Sequence, residues 1–543
     1  MALARLPGLT FDLSYLLRIQ PSMLEEGLRS GPVRHIVIVG GGTSGWMSAA
    51  ALARMAGHSG VAVTLIESGQ RDTEGAVEAT VPSVRMFHDQ LELDENDLVR
   101  RTQGTFKLGT EFVDWRARGS RYLHPFSSPG ANLEGIGFHQ FWLKLRHLGD
   151  TGAGDLADHN LCSVAARMNR FARPERGEEA VPAALRYALH LDAGAYADYL
   201  RNHAEARGVR RMEGRIAEVR VRPGDGFIRE LLLEDGRTVQ GDLYLDCSGL
   251  RGVLIARALH VGFRDWRHWL PCDRVITAPC KRIAPLLPYT RATADAAGWR
   301  WRIPLQHRTE NGHVYCSDLV PDVVAQARLL CQLDGPANAP VRLLKFAAGH
   351  RWRFWEKNCV AIGPAGGFLE PLESTGIHLI QVGLARLLAC FPDRSFAGEL
   401  SHSYNRYMTE QYRRVRDFII LHYKVTERRD TPFWQHCREM RVPASLQEKI
   451  DLFRANATVW AESGDLFTAH SWIAVLLGQG IRPVSYGPLV DSLPVETVRQ
   501  FVRHVGDWTR QTALAMPEHD AFIDRHCSAG RPPAPCGVSD SYT

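Results

Sequence analysis

The stretch His35–Met47 reads HIVIVGGGTSGWM: a five-residue apolar run enters Gly40, Gly41, Gly42, Thr43, Ser44 and Gly45, and a helical run continues from Trp46 to Met55. An apolar strand that meets GxGxxG at the start of a helix is the pattern of a dinucleotide-binding unit. Gly40 permits the tight turn, Gly42 lets backbone approach a pyrophosphate, and Gly45 allows close packing of helix on strand. Thr43 and Ser44 stand in the first helical turn, whose N–H groups lack intrahelical acceptors and can face an anion. A second strand, Val61 to Ile66, ends in Glu67, at the distance where an acid accepts hydrogen bonds from a ribose. The alternative, a glycine-rich turn with no ligand, explains neither the acid nor the order of elements.

Around this unit, 543 residues with 45% hydrophobic content can bury a large core and should form two or three structural units. A formal charge of +5 spread over that length gives no nucleic-acid footprint. The 11 cysteines form no CxxC pair and are odd in number, which predicts reduced thiols in a cytoplasmic enzyme, with no disulfide scaffold and no metal site. Cys247 and Cys359 lie in apolar runs and are expected to be buried. No apolar run approaches the roughly 20 residues that span a bilayer. Leu9 to Ile19 is broken by Asp12, Ser14 and Arg18, so neither a membrane span nor a signal peptide is expected.

Further along, a helix is expected around Ala193 to Ala206, with short strands at Arg215–Val221 and Arg229–Leu233. The strand Asp242–Asp246 runs into Cys247, Ser248 and Gly249, and Cys359–Ile362 runs into a second glycine-rich turn at Gly363. From about Phe396 onward aromatics, arginines and leucines recur at helical spacing. The fold class is therefore α/β: an N-terminal extension (1–33), a Rossmann-like core with added β-sheet (34–395), a helical C-terminal substrate domain (396–530) and a disordered tail (531–543). The long aromatic C-terminal helices would suit a homodimer contact.

Several more motifs follow in order. Glu78–Pro82 reads EATVP; Phe106 and Lys107 precede Phe112–Trp115, FVDW; Asp246, Ser248 and Gly249 form DxSG; Trp299–Pro304 reads WRWRIP; Phe368–Gly376 reads FLEPLESTG. With GGGTSGWM, this series resembles the flavin-dependent halogenases of the tryptophan halogenase family over roughly residues 34 to 500. The resemblance implies an FAD-binding core of the monooxygenase type, contacted by Gly40, Gly42, Thr43, Ser44, Gly45, Glu67, Ala79, Asp246 and Gly363. It also implies a halide ion on Thr375 and Gly376, and a catalytic Lys107 with Glu373.

Halogenating an aromatic carbon needs an electrophilic halogen, which reduced FAD and oxygen can make from chloride or bromide. A lysine can hydrogen-bond the resulting hypohalous acid, or form a haloamine, beside the substrate; outside this context Lys107 would read as a solvated surface charge. Glu373 can stabilise the cationic ring intermediate and take its proton. It could also be an acid favoured by a helix N-terminus, just as Ser374 and Thr375 could be a plain N-cap. Trp299 and Trp301 share one face of a strand. With Ile303 and Pro304 they would wall the flavin from the substrate and disfavour hydroxylation; the alternative is an amphipathic strand with tryptophans in the core.

Departures from the pattern bear on cofactor and substrate. Pro364 stands where many flavoproteins carry an aspartate, and Ala76 and Val77 stand where the family often has valine and glycine. The stretch Phe453–Trp472 is shorter than the segment that clamps free tryptophan, leaving Trp460, Glu462 and Phe467 as candidate lid residues. An indole or other electron-rich arene is therefore expected in preference to free tryptophan. No second strand and GxGxxG unit is present for a nicotinamide cofactor, so a separate flavin reductase is expected to supply reduced FAD. The competing readings are an FAD-dependent aromatic monooxygenase and a degenerate member that binds flavin or an aromatic ligand without turnover.

Overall fold

The computed structural model describes residues 31–69, 76–174, 185–462 and 464–530; most of the N-terminal extension and the tail 531–543 lie outside them. The strand His35–Val39 does run into a helix, Thr43–Ser59, and on into the strand Ala62–Glu67. His35–Val39 is the centre of a six-stranded sheet. It pairs in parallel with Ala62–Glu67 on one side and Leu243–Asp246 on the other. Arg210–Glu213 and Cys359–Ala361 extend the parallel set, and Trp355–Glu356 closes it antiparallel. Ile36, Val37 and Ile38 are fully buried, as expected of a parallel strand covered on both faces.

A second sheet of seven strands carries WRWRIP on its strand Gly298–Pro304. At its edge Gly109–Val113 pairs in parallel with Thr290–Asp295 and antiparallel with Arg121–Pro125. In a separate three-stranded sheet Ala188–Asp192 joins Val77–Ala79 to Thr105–Lys107. This small sheet fixes the EATVP segment against the lysine strand.

The C-terminal region is helical as expected, led by Gly398–Lys424. One continuous cluster of buried apolar residues runs from Val33 to Cys527 and takes in side chains of both the sheets and these helices. Cys247 and Cys359 are buried, and the ten described cysteines are free thiols. Among the described residues no helix is long and apolar enough to cross a membrane.

Candidate active site

A cleft of about 580 Å³ opens at the carboxyl ends of the parallel strands, where ligands of such sheets bind. Gly40, Gly41, Gly42, Thr43 and Ser44 line it, together with Glu67, Glu78, Ser248, Gly363, Thr375 and Gly376. Two helices begin at this cleft. Thr43–Ser59 starts after Gly42 and Gly376–Ala389 after Thr375; neither has a side-chain cap or an acid in its first turn. Their first N–H groups and positive dipole ends thus face the cleft without a side-chain cap.

The glycines are a steric requirement. A Cβ on Gly41 would meet Glu67 Oε2 at 1.7 Å, and one on Gly45 would meet the Gly40 carbonyl oxygen at 1.8 Å. Gly40 adopts φ of 118° with the Cys247 carbonyl 2.3 Å from where its Cβ would be. A wide cleft floored by bare backbone, with two helix N-termini and an acid at the end of the second strand, fits an FAD pyrophosphate and ribose.

The expected flavin contacts divide on this geometry. Gly40, Gly42, Thr43, Ser44, Glu67 and Gly363 line the cleft, with Glu67 paired to Arg211. Gly45, Ala79 and Asp246 do not. Gly45 is the contact point of helix and turn. The fully buried Asp246 carboxylate accepts from Ser248 N at 3.0 Å and from Leu254 N and Ile255 N at 2.8 Å each, so it braces the turn whose neighbours, Cys247 to Gly249, face the cleft. Glu78 belongs there too, where the sequence motif points to its neighbour Ala79. Burial pushes the Glu78 carboxyl up to about 7, against the lowering effect of the Thr43 hydroxyl that donates to it at 3.0 Å.

Lys107 ends its strand fully buried. Its Nζ donates to Ser374 Oγ at 2.8 Å and to the Thr80 carbonyl at 3.2 Å. Removal from water disfavours the ammonium, and this outweighs the nearby Glu373 charge to bring the pKa down to about 7. Ser374 therefore stands between the lysine and Thr375, which lines the cleft. Glu373 and Ser374 are both left-handed, with φ of 66° and 60°, a conformation that costs a non-glycine residue on the order of 1–3 kcal/mol. Side-chain contacts on both residues hold the bend.

Glu373 is itself buried. His124 Nδ1 lies 2.8 Å from its Oε1, and His422 Nε2 lies 2.9 Å from the same oxygen. The first is a well-directed hydrogen bond; the second is a close contact whose N–H is bent away from the line between the atoms. Burial alone would raise the Glu373 pKa, but the two imidazoles outweigh it and hold the carboxyl well below its usual range. Neither histidine had a local signal in the sequence. Each is a single residue in its own strand or helix, brought to Glu373 only by packing.

WRWRIP forms a strand, and Trp299 and Trp301 lie side by side on it with ring centroids 5.8 Å apart. Trp299 is buried in a cluster with Trp115, Ile303 is buried, and the Pro304 carbonyl accepts from Thr105 Oγ1 at 2.8 Å. The hexapeptide is thereby tied to the lysine strand; none of its residues lines the flavin cleft. Of the lid candidates, Phe467 is buried, stacked on Phe418 at 3.8 Å and 6.2 Å from the His124 ring. Trp460 is 67% exposed, and Glu462 pairs with Arg414 at the surface. Those two are not brought to the buried site.

The whole architecture has known counterparts. Residues 35–495 match the family model described as tryptophan halogenase. The tryptophan 6-halogenase SttH of Streptomyces toxytricini is 34% identical over 85% of this chain and 92% of its own. Among solved structures, the flavin-dependent halogenase Xcc4156 from Xanthomonas campestris superposes with a TM-score of 0.89 at 43% identity, covering 92% of this chain and 100% of that one. BrvH, a flavin-dependent halogenase from Brevundimonas sp. BAL3, gives 0.87 at 43% identity over 91% and 99%. Motif order, a glycine-lined cleft at the carboxyl ends of the strands and these matches converge: the chain belongs to the tryptophan halogenase family of flavin-dependent halogenases, enzymes that use FAD and halide and receive reduced flavin from a separate reductase.

Proposed function

We propose that this enzyme chlorinates or brominates an indole or other electron-rich arene, with Lys107 holding hypohalous acid and Glu373 receiving the ring proton. The observation that carries this reading is the hydrogen bond from Lys107 to Ser374, which sets a buried amine one residue from Glu373 and one from the cleft-lining Thr375. When bound and reduced, FAD supplies with oxygen the oxidising equivalents that convert halide to hypohalous acid. Thr375 and Gly376 offer that halide a helix N-terminus.

Lys107 Nζ can donate to the oxygen of hypohalous acid, and with a pKa near 7 a large fraction of it is also the neutral amine, which can take the halogen from hypohalous acid as the oxygen–halogen bond breaks and water leaves. Attack by the arene on that halogen leaves a positive charge on the ring. The ionised Glu373 stabilises this charge and removes the proton from the halogenated carbon. The preference for an arene other than free tryptophan is supported by the short Phe453–Trp472 stretch and by the exposure of Trp460.

Mass spectrometry of a reaction with a flavin reductase, NADH, FAD, oxygen and indole, run with chloride, with bromide and with neither, tests the proposal. The expected result is a halide-dependent product with the halogen isotope pattern, lost in Lys107→Ala. Oxygenated indole that forms without halide would overturn it, and a faster turnover of tryptophan than of indole would overturn the substrate preference.

A further inference from the structure

The contacts around Glu373 continue outward in an order that assigns further residues to the reaction. Tyr122 and His124 sit two apart on the strand Arg121–Pro125, so their side chains share a face. His124 reaches Glu373 directly. The Tyr122 hydroxyl lies 3.3 Å from Nδ1 of His422, whose Nε2 faces the same Glu373 oxygen. Phe112 stacks on Tyr122 at 4.9 Å and on His422 at 4.5 Å, nearly parallel to both, and Gln479 donates to the His422 carbonyl at 2.6 Å. The His422 ring is therefore fixed in plane and along its helix, and what stays free is which nitrogen carries the proton.

The surroundings decide that. Burial disfavours the imidazolium form of His422. In the neutral ring a hydrogen on the nitrogen 2.9 Å from the ionised carboxylate is favoured over a bare lone pair there by charge, even with its N–H bent off the line to Oε1. Nδ1 is then an acceptor, and the Tyr122 hydroxyl is the group placed to donate to it. Both imidazoles meet Oε1, which leaves Oε2 as the oxygen for the substrate.

We propose that Tyr122 and His422 are positioning residues that keep Glu373 ionised and its Oε2 available, by fixing the His422 proton on Nε2. This rests on the reading of Glu373 as the group that receives the ring proton. The titratable groups facing Glu373 are His124 and Tyr122 from one strand, His422 from the long helix and Lys107 from the lysine strand. Of these, only Tyr122 and His422 act as a pair, the first setting the tautomer of the second.

The test uses the purified full-length protein in two arms. In the first, NMR of labelled glutamate carboxyls and histidine nitrogens follows Glu373 and His422 against pH in wild type, Tyr122→Phe, His422→Leu and His422→Gln. Tyr122→Phe and His422→Leu are expected to raise the Glu373 midpoint by roughly one pH unit or more, with Tyr122→Phe also moving the His422 proton between its nitrogens. His422→Gln, which keeps an N–H donor, is expected to restore much of the wild-type behaviour. In the second, halogenation of ring-deuterated indole is expected to show an isotope effect in Tyr122→Phe that the wild type lacks, because proton removal becomes slow. A Glu373 midpoint unchanged in both Tyr122→Phe and His422→Leu would overturn the proposal, as would His422→Gln behaving like His422→Leu. If the wild type makes no halide-dependent product, the halogenase reading fails instead, and the first arm still judges the tautomer assignment.

Discussion

Lys107 Nζ donates to Ser374 Oγ at 2.8 Å, and that single bond joins two segments far apart in the chain: the strand after EATVP and the bend of FLEPLESTG. Ser374 is left-handed, follows the left-handed Glu373 and precedes the residue that caps the helix at the flavin cleft. The lysine thus braces the strained turn as well as presenting an amine, and its replacement should be felt in both roles.

Lys107→Ala should lower halide-dependent product formation by at least roughly 10²-fold, with flavin oxidation continuing, as checked by product mass and oxygen uptake together. Lys107→Met separates the electrostatic cost of burial from chemistry. The folded amine titrates near 7 and an unfolded lysine near about 10.4, so between these values the unfolded chain holds a proton that the folded one lacks, and wild-type stability rises with pH. Thermal unfolding should therefore show Lys107→Met gaining most over wild type below pH 7, with the gap closing toward pH 10.

Glu373→Gln keeps the shape of the side chain but removes its charge and basicity. Halogenation of indole should fall by about 10²-fold, chiefly in kcat. Steady-state kinetics that showed only a raised KM would assign Glu373 to substrate binding instead.

Gly45→Ala would force a Cβ to within 1.8 Å of the Gly40 carbonyl oxygen, a backbone atom that cannot rotate away. The turn that faces the cofactor must then shift. FAD affinity should drop at least about tenfold, or roughly 1.4 kcal/mol, as measured by calorimetric titration with FAD.

Glu78 should make FAD binding sensitive to pH. Its carboxyl titrates near 7 at the wall of the cleft; as pH rises through that value it becomes an anion facing an anionic cofactor, and the FAD Kd should rise. The same titration with Glu78→Gln should be flat across that range. Equal slopes in the two proteins would assign the effect to another group.

The sequence by itself determined the dinucleotide-binding core, the helical C-terminal region and the segments around Lys107 and Glu373. Those signals are local: an apolar strand that runs into GxGxxG, helical periodicity, and short motifs whose residues act over a few positions. Only the tertiary structure decided which groups meet. Motif reading placed Asp246 on the flavin, whereas folding buries its carboxylate against backbone N–H groups two to nine residues on. The motif points to Ala79, yet Glu78 lines the cleft, because which side chain of a three-residue strand faces it depends on the pairing with Ala188–Asp192. Tyr122, His124 and His422 carry no pattern of their own; a sheet edge and a long helix converge to set them around Glu373. Local spacing fixes backbone form, but contacts between distant side chains, and the pKa values they impose, follow from how strands and helices pack.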